Sequence, residues 1–311
     1  MIGKENLAKE IKTKGLKITD LKGNSFQLPP NEVNYTTDLN DLSACGIIFI
    51  TLKSADTESV AQQLKTILAP KTIVVSFQNG VRNAEVLSQN LPNCQVLAGM
   101  VPYNVVKTAE GTFHNGTSGE LVFAEKGEAS ALVLSILQKA HLEAFTHPDM
   151  QGVLWGKLLI NLNNAINALA GVPLREELGN SLYRRIVADA ISEGLKTLRV
   201  AGIKVRRLGK MIPQIAPFIM RLPDWLFFRI AAGMVKIDPQ ARSSMWEDLQ
   251  KGRKTEIDYL NGEIVKLGQA LNFPTPINSA IIQLIKTAEN QGLGSPQIKA
   301  EELDKKIRSG K

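Results

Sequence analysis

The feature that most constrains this chain is a change of hydrophobic rhythm near residue 150. Before it, short apolar runs alternate with helical periods. GIIFITL, from Gly46 to Leu52, is almost wholly apolar, as a strand buried on both faces of a parallel sheet must be. TESVAQQLKTIL then places Val60, Leu64, Ile67 and Leu68 on one helical face. TIVVSF runs into the turn QNG, NAEVLSQNL is again helical, and QVLAGMVPY is a third strand. Strand, helix, strand, helix, strand implies right-handed crossovers, so the expected fold class is a doubly wound parallel α/β sheet. GTFHNGTSGELVFAE reads as two short strands joined by a polar turn. After Met150 the segments GVLWGKLLINLNNAINALAG, RRIVADAISEGLKTLRVAG and MWEDLQKGRKTEIDYLNGEIVKLGQALN carry apolar residues at three- and four-residue spacing, with Gly171 and Gly202 where helices should stop. The boundary falls in HPDM, giving an α/β domain over 1–148 and an all-helical domain over 149–311.

With 311 residues, each domain can bury its own core, and 44% apolar with 22% charged residues is the balance of a folded, not a disordered, chain. The formal charge of +7 is a modest excess that suits a solvated basic surface or a cleft for an anionic ligand. Basic runs interleaved with aromatics are absent, which argues against nucleic acid. Cys45 and Cys94 sit in apolar surroundings, as small buried thiols do, and offer no metal spacing; three scattered histidines add none. Lys4, Lys9, Lys12 and Lys14 interrupt any signal-peptide core at the start. The most apolar segment, Met211 to Ile237, is broken by Pro213, Pro217, Arg221, Pro223, Asp224 and Arg229, so it cannot span a membrane. It reads either as a helical hairpin packed on the second domain, the preferred reading, or as an exposed patch serving a lid, a subunit contact or a membrane surface. Cytoplasmic placement is the expectation.

Ligands of open α/β sheets bind beyond the carboxyl ends of the strands. Lys53 follows one strand there, Asn79 and Gly80 follow the next, and Pro102 closes the third. Each has a plain alternative: a surface lysine, a turn asparagine, a strand terminator. In WGKLLINLNNAINAL, Lys157, Asn161 and Asn164 stand at i, i+4 and i+7 within an apolar helix. They form either a solvent-facing stripe or a polar site. An ammonium there could protonate a carbonyl oxygen, amides could hold a carboxylate, and partial burial would weaken the lysine's hold on its proton. In SSMWEDLQKGRKTEIDYLNG, Ser244 is a candidate helix cap with Glu247 as its capping-box partner, which competes with a ligand role. Glu256 and Asp258 lie among Arg253 and Lys254, as a surface ion-pair face or as a carboxylate facing a polar ligand.

Together, TLKSADTESV, IVVSFQNGVRNAEVL, LAGMVPYNVV, HNGTSGEL, WGKLLINLNNAINAL, SSMWEDLQKGRKTEIDYLNGEIV and NFPTPIN resemble the 2-dehydropantoate 2-reductase (ketopantoate reductase) family, from about residue 2 to about residue 280. The resemblance implies a Rossmann-like first domain and NADPH-dependent reduction of 2-dehydropantoate to (R)-pantoate, on the route to pantothenate and coenzyme A. It implies Lys157 as the general acid and Glu256 as the essential carboxylate near substrate and nicotinamide ribose. Asn79 would lie at the nicotinamide end, Lys53 and Val105 on the cofactor side, and Asn161, Asn164 and Ser244 on the substrate. The expected partners are NADPH/NADP+ and a small 2-oxo acid, and a homodimer is compatible with this reading. Two departures stand out. The family's second asparagine commonly follows the lysine by eight residues, whereas Asn164 follows Lys157 by seven; a one-residue deletion restores the register up to Pro173 and selects Asn164 over Asn163. After that proline some members place another substrate-binding asparagine, and Leu174 stands here, which opens the alternative of a related 2-oxo acid.

Met1 to Lys4 resembles the end of the family's second strand, where a basic residue meets the 2′-phosphate of NADP, so Lys4 is its counterpart; a lysine in a frayed terminus is the plain alternative. This alignment implies that a first strand, glycine-rich turn and helix, on the order of 30 residues, are missing. The corresponding expectation is a truncated domain, with a non-catalytic relative unable to hold dinucleotide as a further alternative.

Overall fold

The computed structural model describes residues 1–207, 212–230 and 240–309. The chain divides into two compact units, Met1–Gln78 with Arg82–Met150, and Asn79–Val81 with Gln151–Lys311.

The first unit is α/β. Helix α1 (Glu5–Lys14) is followed by a hairpin of β1 (Leu16–Asp20) and β2 (Ser25–Leu28), which the apolar pattern does not announce. Its turn closes because the Asp20 carboxylate accepts the Lys22 and Asn24 N–H groups, both at 2.9 Å, while Gly23 takes φ 82°. The N-terminal segment is anchored rather than frayed: Met1 donates its amino group to Asn34 O at 2.6 Å, and Ile2 bridges Thr36 in parallel.

Further on come β3 (Ile47–Ile50), α2 (Thr57–Leu64), β4 (Ile73–Ser76), α3 (Asn83–Asn90) and β5 (Gln95–Met100). They are followed by β6 (Val105–Ala109), β7 (Thr112–Asn115), β8 (Leu121–Ala124), α4 (Gly127–Lys139) and β9 (Ala144–His147). The main sheet has the order β3-β4-β5-β8-β9. Its first three strands are parallel, β8 runs antiparallel to β5, and β9 is parallel to β8. All four residues of β4 are buried, as its position between two parallel neighbours requires. Ile48, Ile50, Val74 and Val96 pack with Ala61, Leu64 and Leu87 of the covering helices; Cys45 and Cys94 are half-buried beside them. The two short strands expected in GTFHNGTSGELVFAE form, but in different sheets. β8 joins the main sheet, whereas β7 lies in a second sheet of order β2-β1-β7-β6.

The second unit is helical. It comprises α5 (Met150–Asn161), α6 (Asn163–Ala170), α7 (Leu174–Gly179), α8 (Ser181–Val200), α9 (Ala216–Met220) and α10 (Asp224–Ile230). After these come α11 (Ser244–Gln250), α12 (Asn261–Ala270), α13 (Pro276–Gln291) and α14 (Ala300–Ser309). The long period expected as one helix is therefore two. The break falls at Leu162, whose N–H is shared between Leu158 O at 3.1 Å and Leu159 O at 3.4 Å, a tightened turn that keeps helical dihedrals. Its core gathers Leu158, Leu159, Ile166, Ile191, Ile264 and Ile281. Gly194 on α8 lets α5 and α12 come close: a Cβ there would meet Leu159 Cδ2 at 2.6 Å and Ile264 Cδ1 at 3.2 Å. The Glu193 carboxylate, also on α8, caps α13 by accepting the Ile277 N–H at 3.0 Å and the Asn278 N–H at 2.9 Å.

Of the apolar segment expected as a hairpin, Met211 and residues 231–237 lie outside the described residues. The remainder forms α9 and α10. Arg184 of α8, almost wholly buried, donates to Met220 O, Leu178 O and Leu222 O and to the Asp224 carboxylate, and stacks over the Phe227 ring at 4.3 Å. Phe227 is buried, but Phe218 and Trp225 are each 70% exposed, so the packing holds for one face only. Among the described residues no helix is long and apolar enough to cross a membrane.

Candidate active site

In the α/β unit, a buried polar lattice shapes the carboxyl ends of β3 and β4. Gln78 Nε2 donates to Leu52 O at 3.1 Å and to Thr57 Oγ1 at 2.8 Å, while its Oε1 accepts from Ser76 Oγ at 3.0 Å. Thr57 Oγ1 donates to Asn83 Oδ1 at 2.8 Å, and Asn83 Nδ2 donates to Ser54 Oγ at 3.1 Å. Two strand ends and the first turns of α2 and α3 are thus tied by side-chain hydrogen bonds, one of them to the main-chain carbonyl of Leu52. Lys53, half-buried, caps the short 3-10 turn Ser54–Asp56 inside this lattice. Lys4 is exposed and caps α1, its carbonyl accepting the Leu7 and Ala8 N–H groups. Val105 opens the edge strand β6 of the smaller sheet, 54% exposed.

The helical unit carries the other expected residues. Lys157 lies on α5 amid buried Leu154, Trp155, Leu158 and Leu159. It is half-buried, and its ammonium has no hydrogen-bond or ion-pair partner among the described residues. Burial holds its pKa below the ordinary lysine value, because charge is costly out of water. Gly156 beside it admits the 203–207 segment: Arg206 N–H bonds Gly152 O at 3.0 Å, and a Cβ on Gly156 would meet Arg206 O at 2.5 Å. Asn161 follows one turn after Lys157, at the end of α5, and Asn164 stands in the first turn of α6, on the far side of the Leu162 break. Both are half-buried, and neither side-chain amide has a partner among the described residues.

Ser244 was the candidate cap of its helix. The cap is Ser243, whose Oγ accepts the Trp246 N–H at 3.1 Å, so Ser244 is the first helical residue instead. Its exposed hydroxyl is thereby released from backbone duty. Ser243 Oγ in turn donates to Asn164 O at 2.9 Å, which brings Ser244 beside α6.

Among the four charges of RKTEID, three form ion pairs: Arg253 with the buried Asp248, Lys254 with the shielded Glu289 carboxylate, and Asp258 with Lys286 at the surface. Glu256 differs. Its Oε2 accepts the Asn79 amide at 3.1 Å, and Asn79 belongs to the same compact unit. The backbone that presents Glu256 is held by Glu289 of α13, which accepts Thr255 N–H at 2.8 Å and Thr255 Oγ1 at 2.7 Å.

Sequence reasoning missed Asn167 and Glu177. Asn167 is fully buried, donates to Val172 O at 3.0 Å and Glu177 Oε2 at 2.6 Å, and accepts the Ser243 N–H at 2.8 Å. Glu177 is also fully buried; burial pushes its pKa up to about 8, against the opposing influence of the Asn167 hydrogen bond and the neighbouring Asn163 amide. The available signal was Asn167 falling three residues after Asn164 in a run otherwise apolar up to Gly171.

Comparison with known proteins adds the following. The family model described as ketopantoate reductase PanE/ApbA matches residues 1–128, and the model of that family's C-terminal part matches residues 149–289. A 2-dehydropantoate 2-reductase of Archaeoglobus fulgidus is 27% identical over 295 residues, spanning 92% of this chain and 86% of the relative. A crystal structure of a PanE/ApbA family ketopantoate reductase from Ralstonia eutropha is 27% identical with TM-score 0.78, covering 93% of this chain and 89% of that one. A D-mandelate dehydrogenase, solved with NADH and anilino(oxo)acetate, shares the fold at 20% identity and TM-score 0.75, covering 94% of this chain and 90% of that one. The expectation of a missing first strand, turn and helix gains no support here. The family model matches from residue 1, and the N-terminal segment is held by the Met1–Asn34 and Ile2–Thr36 contacts.

Proposed function

Because the chain belongs to the ketopantoate reductase PanE/ApbA family, we propose that it is an NADPH-dependent 2-oxo acid reductase that converts 2-dehydropantoate to (R)-pantoate. The observation that carries this reading is Lys157: a half-buried ammonium with no partner among the described residues, a depressed pKa, and the Asn161 and Asn164 amides one and two turns on. Such a group can release its proton to the carbonyl oxygen as C2 is reduced, leaving a neutral amine that water reprotonates. Asn161, Asn164 and Ser244 supply neutral donors for the substrate carboxylate, whose charge then needs no further cation buried beside it. Glu256, oriented by Asn79 and by the Glu289-anchored backbone, offers a carboxylate to hydroxyl groups of the ligands.

The α/β unit fits an anionic dinucleotide. Its β3 and β4 ends are held by a neutral hydrogen-bonded lattice, and the cations at hand are Lys53 beside it and Lys4 at α1. Lys53 and Lys4 would face phosphates and Val105 would give an apolar contact. When bound, NADPH supplies the hydride.

The test is NADPH oxidation by the purified chain with 2-dehydropantoate. Turnover that Lys157→Ala abolishes supports the reading; full activity in that variant overturns the mechanism. A second reading, a different 2-oxo acid, is favoured by Leu174, a half-buried apolar side chain at the start of α7. An apolar residue there cannot bind a substrate hydroxyl, so branched and aromatic 2-oxo acids should be compared by kcat/KM.

A further inference from the structure

We propose that Asn167 is a positioning residue for the 2-oxo acid subsite, and that it is held in place by Glu177 acting as a neutral carboxylic acid. The proposal rests on the reading above, in which Asn164 and Ser244 face the substrate.

Asn167 has two N–H donors and an acceptor oxygen, and all are committed. The donors go to Val172 O and Glu177 Oε2, and the oxygen takes the Ser243 N–H. One buried amide therefore joins α6, the α6–α7 turn, α7 and the start of α11. Ser243 completes the link, since its hydroxyl donates to Asn164 O at 2.9 Å while capping α11 through Trp246 at 3.1 Å. Asn164 and Ser244 each adjoin this frame, one through its carbonyl and one through its peptide bond to Ser243. Neither Asn167 nor Ser243 is exposed, so their influence on a substrate passes through these neighbours.

The protonation state of Glu177 follows from hydrogen-bond arithmetic. Among the described residues Glu177 Oε1 and Asn163 Oδ1 are both buried acceptors without a donor, and the two side chains are neighbours. A carboxylate cannot donate, so with the Asn163 amide oriented as it stands an ionised Glu177 leaves both oxygens orphaned. A proton on Oε1 gives Asn163 Oδ1 its donor and leaves Oε2 free to accept from Asn167, so that both vacancies close at once. Complete burial favours the same form.

The experiment uses the full chain with NADPH and 2-dehydropantoate. Asn167→Leu is expected to raise KM for the oxo acid by about tenfold, with kcat and KM for NADPH within about twofold of wild type. Glu177→Gln, which keeps a neutral donor, should retain the wild-type KM, whereas Glu177→Leu should raise it as Asn167→Leu does. In parallel, amide hydrogen exchange at Ser243 should accelerate by about tenfold or more in Asn167→Leu, with α8 unchanged. Wild-type KM in Asn167→Leu, or proportionate losses in kcat and NADPH affinity, overturns the proposal. If Asn167→Leu does not fold, Ser243→Ala carries the same prediction for KM. A wild-type chain that reduces no 2-oxo acid overturns the functional reading alone. The exchange result then decides the positioning, with unchanged exchange at Ser243 refuting it.

Discussion

Asn79 donates its side-chain amide to Glu256 across 177 residues of sequence, at 3.1 Å. The first residue follows a strand of the α/β unit, yet it is grouped with the helical unit that contains the second. The bond holds one oxygen of the Glu256 carboxylate in place.

Glu256→Ala should therefore lower kcat/KM by about a hundredfold or more with little change in thermal stability, since the side chain is only half-buried. Glu256→Gln keeps the shape but weakens the Asn79 bond, and should fall between the two. Steady-state kinetics and a thermal melt on the same preparations check both halves of this expectation.

Lys157 sets a pH dependence. In the proposed mechanism the proton-bearing form is the donor, so kcat should be level at low pH and fall as pH rises through the lysine pKa. Burial lowers that value, so the fall begins below the ordinary lysine pKa of about 10.4. In Lys157→Met the limb should disappear, and the remaining rate should be lower by roughly 100-fold to 10,000-fold. A limb that persists in the variant assigns it to another group.

Glu177 links stability to pH. Its folded pKa of about 8 lies above the ordinary carboxyl value of 4.5, so the folded chain binds more protons between them. Stability is fully present below about 4.5 and is lost as pH rises to about 8, by roughly 5 kcal/mol at most. Glu177→Gln should flatten that slope and be the more stable protein above the window. Urea melts at about pH 6 and about pH 9 measure it.

Arg184 predicts a local effect. Arg184→Met keeps the apolar stem but removes donors from Leu178 O, Met220 O and Leu222 O and leaves Asp224 without its ion pair. The cost should be about 3 kcal/mol. Limited trypsin digestion should cut sooner at the exposed Arg221 and Arg229 of the segment that Arg184 holds.

Much of the framework was legible because periodicity is a direct image of burial. The fully buried β4 and the change of rhythm near Met150 both follow from which residues meet water. The β1–β2 hairpin was not legible, because its outward residues carry no apolar alternation: Lys17, Ser25 and Phe26 are all exposed. The break at Leu162 was hidden because a leucine suits both a continuous helix and a tightened turn. Among the candidate site residues, Lys157, Asn161 and Asn164 could be found because polar groups in an apolar helix must be accounted for. Asn167 met the same criterion, but Glu177, in the polar run LREELG, did not, and no local spacing shows that a carboxylate and an amide face each other.

The two serines at the head of α11 share one identity and divide two tasks. Ser243 faces inward and keeps a helix end closed; Ser244 is exposed, and among the described residues its hydroxyl has no partner. Equal substitutions one residue apart should thus produce unlike defects, one of folding and geometry, the other of ligand contact alone. A duplicated letter in the sequence is, in three dimensions, a hinge post and a door handle.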